Sequence, residues 1–344
     1  MRMIHTARFA VLAAAVTAAP LAGQRAERFT LTGSPATVHN LAGEVTVAAG
    51  SGGGVVVEVT RGGADAARLR VARDGNEVRV AFPGDRVVYE RMGARARSTL
   101  SVRADGSIGG GLRARRVTVS GSGNGTRAYA DVRVLVPAGR SVEVHLGVGR
   151  VQVSNVNGEL KVHTSAAAVR AQGTRGSLEV EVGSGAVEVR DAQGDVAVST
   201  GSGAVTLGAV RGTRVEVETG SGAVTATDVR AQDLSIDVGS GRVQAAGIAA
   251  RDMLVDTGSG AVDLALVADA QNVTIDTGSG GVMLALPANF GADVAISTGS
   301  GGINVDVPVT RRQADRDSFR GRIGDGNGRM EIETGSGGVR IRRR

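Results

Sequence analysis

Histidines at 145 and 163 and a glutamate at 181 follow one another at intervals of 18 residues, and Asp237, Asp256 and Asp276 recur at intervals of 19 and 20. Two imidazoles with a carboxylate can share one divalent metal. A row of carboxylates suits calcium or a cationic partner. Residues so far apart in sequence meet only if the chain returns to the same point once per interval, as in a stack of repeats. His145, His163 and Glu181 are therefore candidate ligands of one divalent metal, and Asp237, Asp256 and Asp276 of calcium. Each reading has a plainer rival. Beside the histidines, Glu143, Lys161 and Glu179 alternate in charge as a solvated ladder would, and the aspartates could form a solvent-screened acidic face. No cofactor other than these ions is expected.

Catalytic chemistry has little to draw on. There is no Cys, and beyond the N-terminal stretch the histidines are His39, His145 and His163, so a nucleophile with an imidazole base has few places to stand. A polysaccharide lyase could work with Arg and carboxylates alone, but 7 aromatic residues leave little surface on which a sugar could stack. The catalytic set is read as empty.

The element that must position these side chains is a repeat. Aligned on the first Gly of "TGSGAV" and its variants, the copies fall at Gly183, Gly201, Gly220, Gly239, Gly258, Gly278, Gly299 and Gly335, with degenerate ones at Gly147 and Ser165. Steps run from 18 to 21 residues until the last, which is 36. Five and three places before each copy stand aliphatic residues, such as Val273 and Ile275, with polar residues between them. That period of two marks a strand with one buried face. Four places after, Val or Ile opens a second strand. Gly-Ser-Gly is thus a corner between two strands, with glycine supplying positive φ and the preceding Thr stacking inward, its hydroxyl bonded to the turn or to the next Thr. The expected fold is all-β: a parallel, two-sided β-solenoid with coils of about 19 residues. The expected order is an export signal at 1–24, an irregular β-rich part at 25–135, and regular repeats at 136–344 with an insert at 308–329.

The signal reading rests on Arg2 and Arg8, the short apolar run from Phe9 to Ala19, and the small residues leading to Gln24. The run is too short to anchor permanently in a bilayer. Gln24 stands where a lipid-bearing Cys would be needed, and the mature chain is expected to hold no transmembrane segment.

Charge is uneven around a formal net of +6. Residues 61–150 carry 17 basic and 8 acidic side chains, 151–310 carry 9 and 18, and 311–344 carry 10 and 5. Arg311, Arg312, Arg340, Arg342, Arg343 and Arg344 are candidates to meet an anionic envelope polymer or envelope protein. Nucleic acid is not expected, because basic residues are not interleaved with aromatics.

The opening "LAGEVTVAAGSGGGVVVEV", the stretch "VLVPAGRSVEVHLGVGRVQV", the serial "TGSGAV" corners and the closing "GRIGDGNGRMEIETGSGGVRIR" resemble a bacterial exported β-strand-repeat family of unknown function that carries an adhesin label. The resemblance covers nearly the whole mature chain and implies the fold rather than any chemistry. Together these readings lead us to expect a non-enzymatic structural or interaction module at the bacterial envelope, periplasmic or extracellular. The alternative is an enzyme acting on envelope or extracellular polysaccharide.

Overall fold

A computed structural model describes residues 26–109 and 114–344; the expected signal at 1–24 lies outside the described residues. The described chain is all-β, with two short 3-10 turns at Ala66–Arg68 and Glu90–Met92. Strands built from alternating aliphatic and polar residues stack in parallel, one repeat on the next. Val142, Leu160, Leu178, Val196, Val215, Leu234, Met253 and Val273 are successive partners in one column. Val151, Val169, Val187, Val205, Val224, Val243, Val262 and Val282 form another on the second strands. Their side chains are buried, and each contributes about 1.5 to 3 kcal/mol by leaving water. Valine suits the task because its single stiff rotamer repeats from layer to layer.

Two kinds of corner close each layer. At the first, none of the leading glycines from Gly183 to Gly335 takes positive φ; they are required by close approach instead. A Cβ on Gly201, Gly220, Gly239 or Gly258 would lie 2.6 to 2.7 Å from the carbonyl oxygen of the glycine one layer back. The second glycine does take positive φ at Gly185, Gly203, Gly222 and Gly241, between 141° and 153°. At the opposite corner Asn155, Gly173, Asp191, Ala209, Asp228 and Gly247 all adopt left-handed φ between 52° and 72°, a conformation that Gly, Asn and Asp adopt most readily. The column ends where the register shifts between Ala246 and Ile248.

The threonines preceding the corner face inward, as their parity requires. Thr257, Thr277 and Thr298 donate to the carbonyls of Gly260, Gly280 and Gly301 at 3.1, 2.8 and 2.7 Å, and Thr334 donates to Gly280 at 3.1 Å. Thr200 and Thr219 are equally buried but their hydroxyls find no partner among the described residues.

The order of layers departs from the order of the sequence. Gly328–Thr334 pairs in parallel with Asn272–Thr277 on one side and with Ala292–Thr298 on the other, so the last repeat is inserted before the one that precedes it in sequence. The insert makes this possible. Val309–Ala314 and Ser318–Ile323 form an antiparallel hairpin, and its second strand runs antiparallel to Ala292–Thr298. The chain thereby reverses at the far edge and returns through the gap. A parallel stack left open would expose a row of unpaired peptide groups.

The other end is treated alike. Ala36–Ala49 is a full layer in register with Arg140–Ser154, Val38 against Val144 and Val45 against Val151. Above it lie Glu77–Ala81 and Tyr129–Val136 in parallel, then Arg70–Asp74, Val55–Gly62 and Glu27–Leu31 in antiparallel order. A separate three-stranded sheet, Arg86–Val88, Arg97–Val102 and Arg115–Ser120, packs beside these layers. The described aromatic residues Phe29, Phe82, Tyr89, Tyr129, Phe290 and Phe319 belong to the two ends, where elements cross at irregular distances and a larger side chain is needed to fill the space.

Candidate functional site

Parallel register carries the outward column of one layer onto that of the next. His39 lies beside His145, His145 beside His163, and His163 beside Glu181. The inward neighbours Val38, Val144, Val162 and Val180 are fully buried and hold the strands so that alternate side chains must face out. The imidazoles stack as a ladder: His39 and His145 centroids are 4.3 Å apart at 10°, and His145 and His163 are 4.9 Å apart at 13°.

Carboxylates flank the ladder. Glu143 Oε1 lies 2.8 Å from His145 Nε2 and 3.5 Å from His163 Nε2, while Glu181 Oε2 lies 2.8 Å from His163 Nδ1. Glu143, His145 and His163 thus present one ligand atom each, all within 4.8 Å of one another. Of the expected set, His145 and His163 converge on a carboxylate, but that carboxylate is Glu143; Glu181 meets the opposite nitrogen of His163. Glu143 takes the position the sequence reading gave to Glu181, leaving Lys161 to pair with Glu179 at 2.6 Å. The missed signal was local, because residues two apart on a strand share a face. His39 was also missed, although "VHNLAGEVTV" repeats the spacing of "VHLGVGRVQV".

His39 is the most buried of the three, 7% exposed, with the backbone N–H of Ile108 donating to its Nδ1 at 3.5 Å. Beyond it in the column stands Arg79, held by Asp74 at 3.0 Å and Asp105 at 3.5 Å and also paired with Glu77. Burial first, then the facing His145 ring and Arg79, push the His39 pKa down to about 3. Burial also lowers that of His145, against the pull of Glu143.

The same column continues into acid. Glu218, Asp237, Asp256 and Asp276 are successive partners, and because of the inserted repeat the next residue is Glu333 rather than Ser297. Five carboxylates therefore stand in line. Partial burial, then Asp276 and Asp237, raise the pKa of Asp256, as like charges in register should. Among the arginines suggested for an anionic partner, Arg340 and Arg342 are exposed on one strand. Arg343 donates to the carbonyls of Pro287 and Ala288, both at 2.7 Å. Arg344 closes the strand with a backbone bond to Leu286. The side chains of Arg311 and Arg312 lie outside the described residues. A hollow of about 1000 Å³ near the inserted repeat is lined by Gln271, Asp293, Arg320, Asn327, Arg329 and Glu331 among others; Asp293 accepts there from Nε and Nη2 of Arg322, at 2.8 and 3.1 Å.

The buried imidazole sets a pH dependence. An unfolded histidine takes up its proton near pH 6.5 and folded His39 only near 3, so the unfolded state binds more protons between those values. Stability is complete above the unfolded pKa and is lost as pH falls through this window. Unfolding free energy should fall by on the order of 2 kcal/mol from about pH 7.5 to about pH 5 through this group alone. Denaturant titrations across that range should show His39→Gln with a correspondingly flatter profile; equal slopes would contradict the assignment.

No curated protein matches the chain. Among solved structures, a candidate cell adhesion protein from Clostridium sporogenes is similar over 94% of this chain and 100% of its own, at 10% identity and a TM-score of 0.22. A candidate adhesin from Bacteroides fragilis is similar over 94% and 98%, at 12% identity and a TM-score of 0.30. The family model described as Toastrack DUF4097 matches residues 123–342, more than half of the sequence and all of its regular repeats, and the chain belongs to that family.

Proposed function

We propose that this chain is an exported, adhesin-like interaction module of the bacterial envelope, non-enzymatic and built as a two-sided β-solenoid behind a signal at 1–24. One observation carries the reading: the outward column runs in register from Arg79 through His39, His145, His163 and Glu181 to the carboxylates ending at Glu333. Groups repeated at about 4.8 Å along a straight face suit an extended partner better than a small substrate. An anionic envelope polymer or envelope protein would instead meet the exposed Arg340 and Arg342, on the strand that follows Gly328–Thr334. No helix among the described residues is long and apolar enough to cross a membrane.

The alternative reading, an enzyme acting on polysaccharide, draws on the hollow that brings Arg320, Arg329, Asp293 and Glu331 together. Incubation with a purified anionic envelope polysaccharide separates the two. Co-sedimentation without release of soluble oligosaccharide is expected; release of product would overturn the non-enzymatic reading, and failure to co-sediment would overturn the polymer as partner.

The carboxylate row is read as a calcium or polycation surface through Asp237, Asp256 and Asp276. Calcium that binds only the folded chain must raise its unfolding temperature. Millimolar calcium should do so, and Asn at all three positions should abolish the shift; equal shifts in both proteins would leave the row a solvent-screened face.

A further inference from the structure

The histidine ladder contains more than surface imidazoles paired with acids. His145 and His163 direct Nε2 toward the same carboxylate oxygen of Glu143, at 2.8 and 3.5 Å. A tetrahedral zinc ion with bonds of about 2.0 to 2.1 Å places its ligand atoms roughly 3.3 Å apart. The two distances to Glu143 lie on either side of that value. All three side chains are only half-buried, so small torsional adjustments can bring their atoms around an ion. Glu181 supplies a further feature. Its hydrogen bond to His163 Nδ1 at 2.8 Å places the proton on Nδ1 and leaves Nε2 with a lone pair facing Glu143, the arrangement in which a second carboxylate orients a ligating histidine.

We propose that Glu143, His145 and His163 form a zinc site, with Glu181 as the positioning residue for His163. Two imidazoles and a carboxylate exclude calcium and magnesium, which take oxygen ligands, and without thiolates the set suits a borderline divalent ion. His39 is not a ligand. Its Nε2 faces Glu77 at 3.9 Å, and its ring covers His145 on the side away from His163. Three protein ligands leave a fourth position open for water or for a donor from a partner. A depression of about 280 Å³ lies beside the two histidines, lined by Ile108, His145, His163, Ser165, Glu181 and Ser199 among others. The site does not depend on which partner the module engages.

Calorimetric titration of the untagged full chain with zinc chloride at neutral pH tests the site directly. One ion per chain is expected, together with a rise in unfolding temperature. The H145A/H163A double variant and the nearly isosteric Glu143→Gln should each lose that binding, with circular dichroism confirming the β fold. Glu181→Gln should retain one ion but bind it about 10- to 100-fold more weakly, the usual effect of removing an orienting partner. Absence of a stoichiometric site in the parent chain, or undiminished binding in the double variant, would overturn the proposal. Unchanged affinity in Glu181→Gln would overturn the positioning role.

Discussion

The structure depends on the backbone of one layer meeting the backbone of the next at the corner. At Gly239 there is no room for even a methyl group beside the carbonyl of Gly220, and Gly258 repeats the restriction against Gly239. With these contacts made, the parallel ladders on both sides share one register. A slip of one residue would turn every buried valine outward and every polar residue inward. The repeated glycines and the repeated aliphatics therefore enforce the same alignment from opposite sides of the strand.

Identical register has consequences on the outer face, where like residues are also brought together. Three imidazoles follow the guanidinium of Arg79, and five carboxylates stand further along the same column. Burial and neighbouring positive charge disfavour protonation of His39, whereas burial and neighbouring negative charge favour protonation of Asp256. Burial is the larger cause in both, and the stacking of like on like adds to it. The antiparallel strands at the two ends solve a different problem. They replace the long parallel strands of the stack with short antiparallel ones at its ends, one of the ways in which sheet edges are blunted.

Much of this was legible in the sequence because each layer repeats the same period. The inward columns, the corners and the meeting of His145 with His163 follow from spacing alone. The insertion of Gly328–Thr334 ahead of Ala292–Thr298 does not, since it arises from the hairpin at 309–323 pairing with an edge. Spacing also fixes which residues are neighbours without fixing which atoms meet. Thus Glu181 is the neighbour of His163, yet it contacts Nδ1 while Glu143 reaches the Nε2 atoms. The corner glycines were recognised, but positive φ accounts only for the second member of several copies, and close approach between layers is invisible to a single repeat. Ala36–Ala49 was hidden because its corner reads Leu-Ala-Gly rather than Gly-Ser-Gly.

The central claim is that direct backbone contact at the leading glycine sets the register. Equilibrium unfolding of Gly239→Ala, compared with Ser240→Ala at the exposed neighbouring position, tests it most directly. A Cβ at 239 would lie 2.6 Å from the Gly220 carbonyl oxygen, an overpacking expected to cost about 2 to 3 kcal/mol, whereas the serine change should stay within about 0.5 kcal/mol. A neutral Gly239→Ala, or one stabilised by the roughly 0.4 to 1 kcal/mol that glycine replacement gives where space allows, would contradict the account.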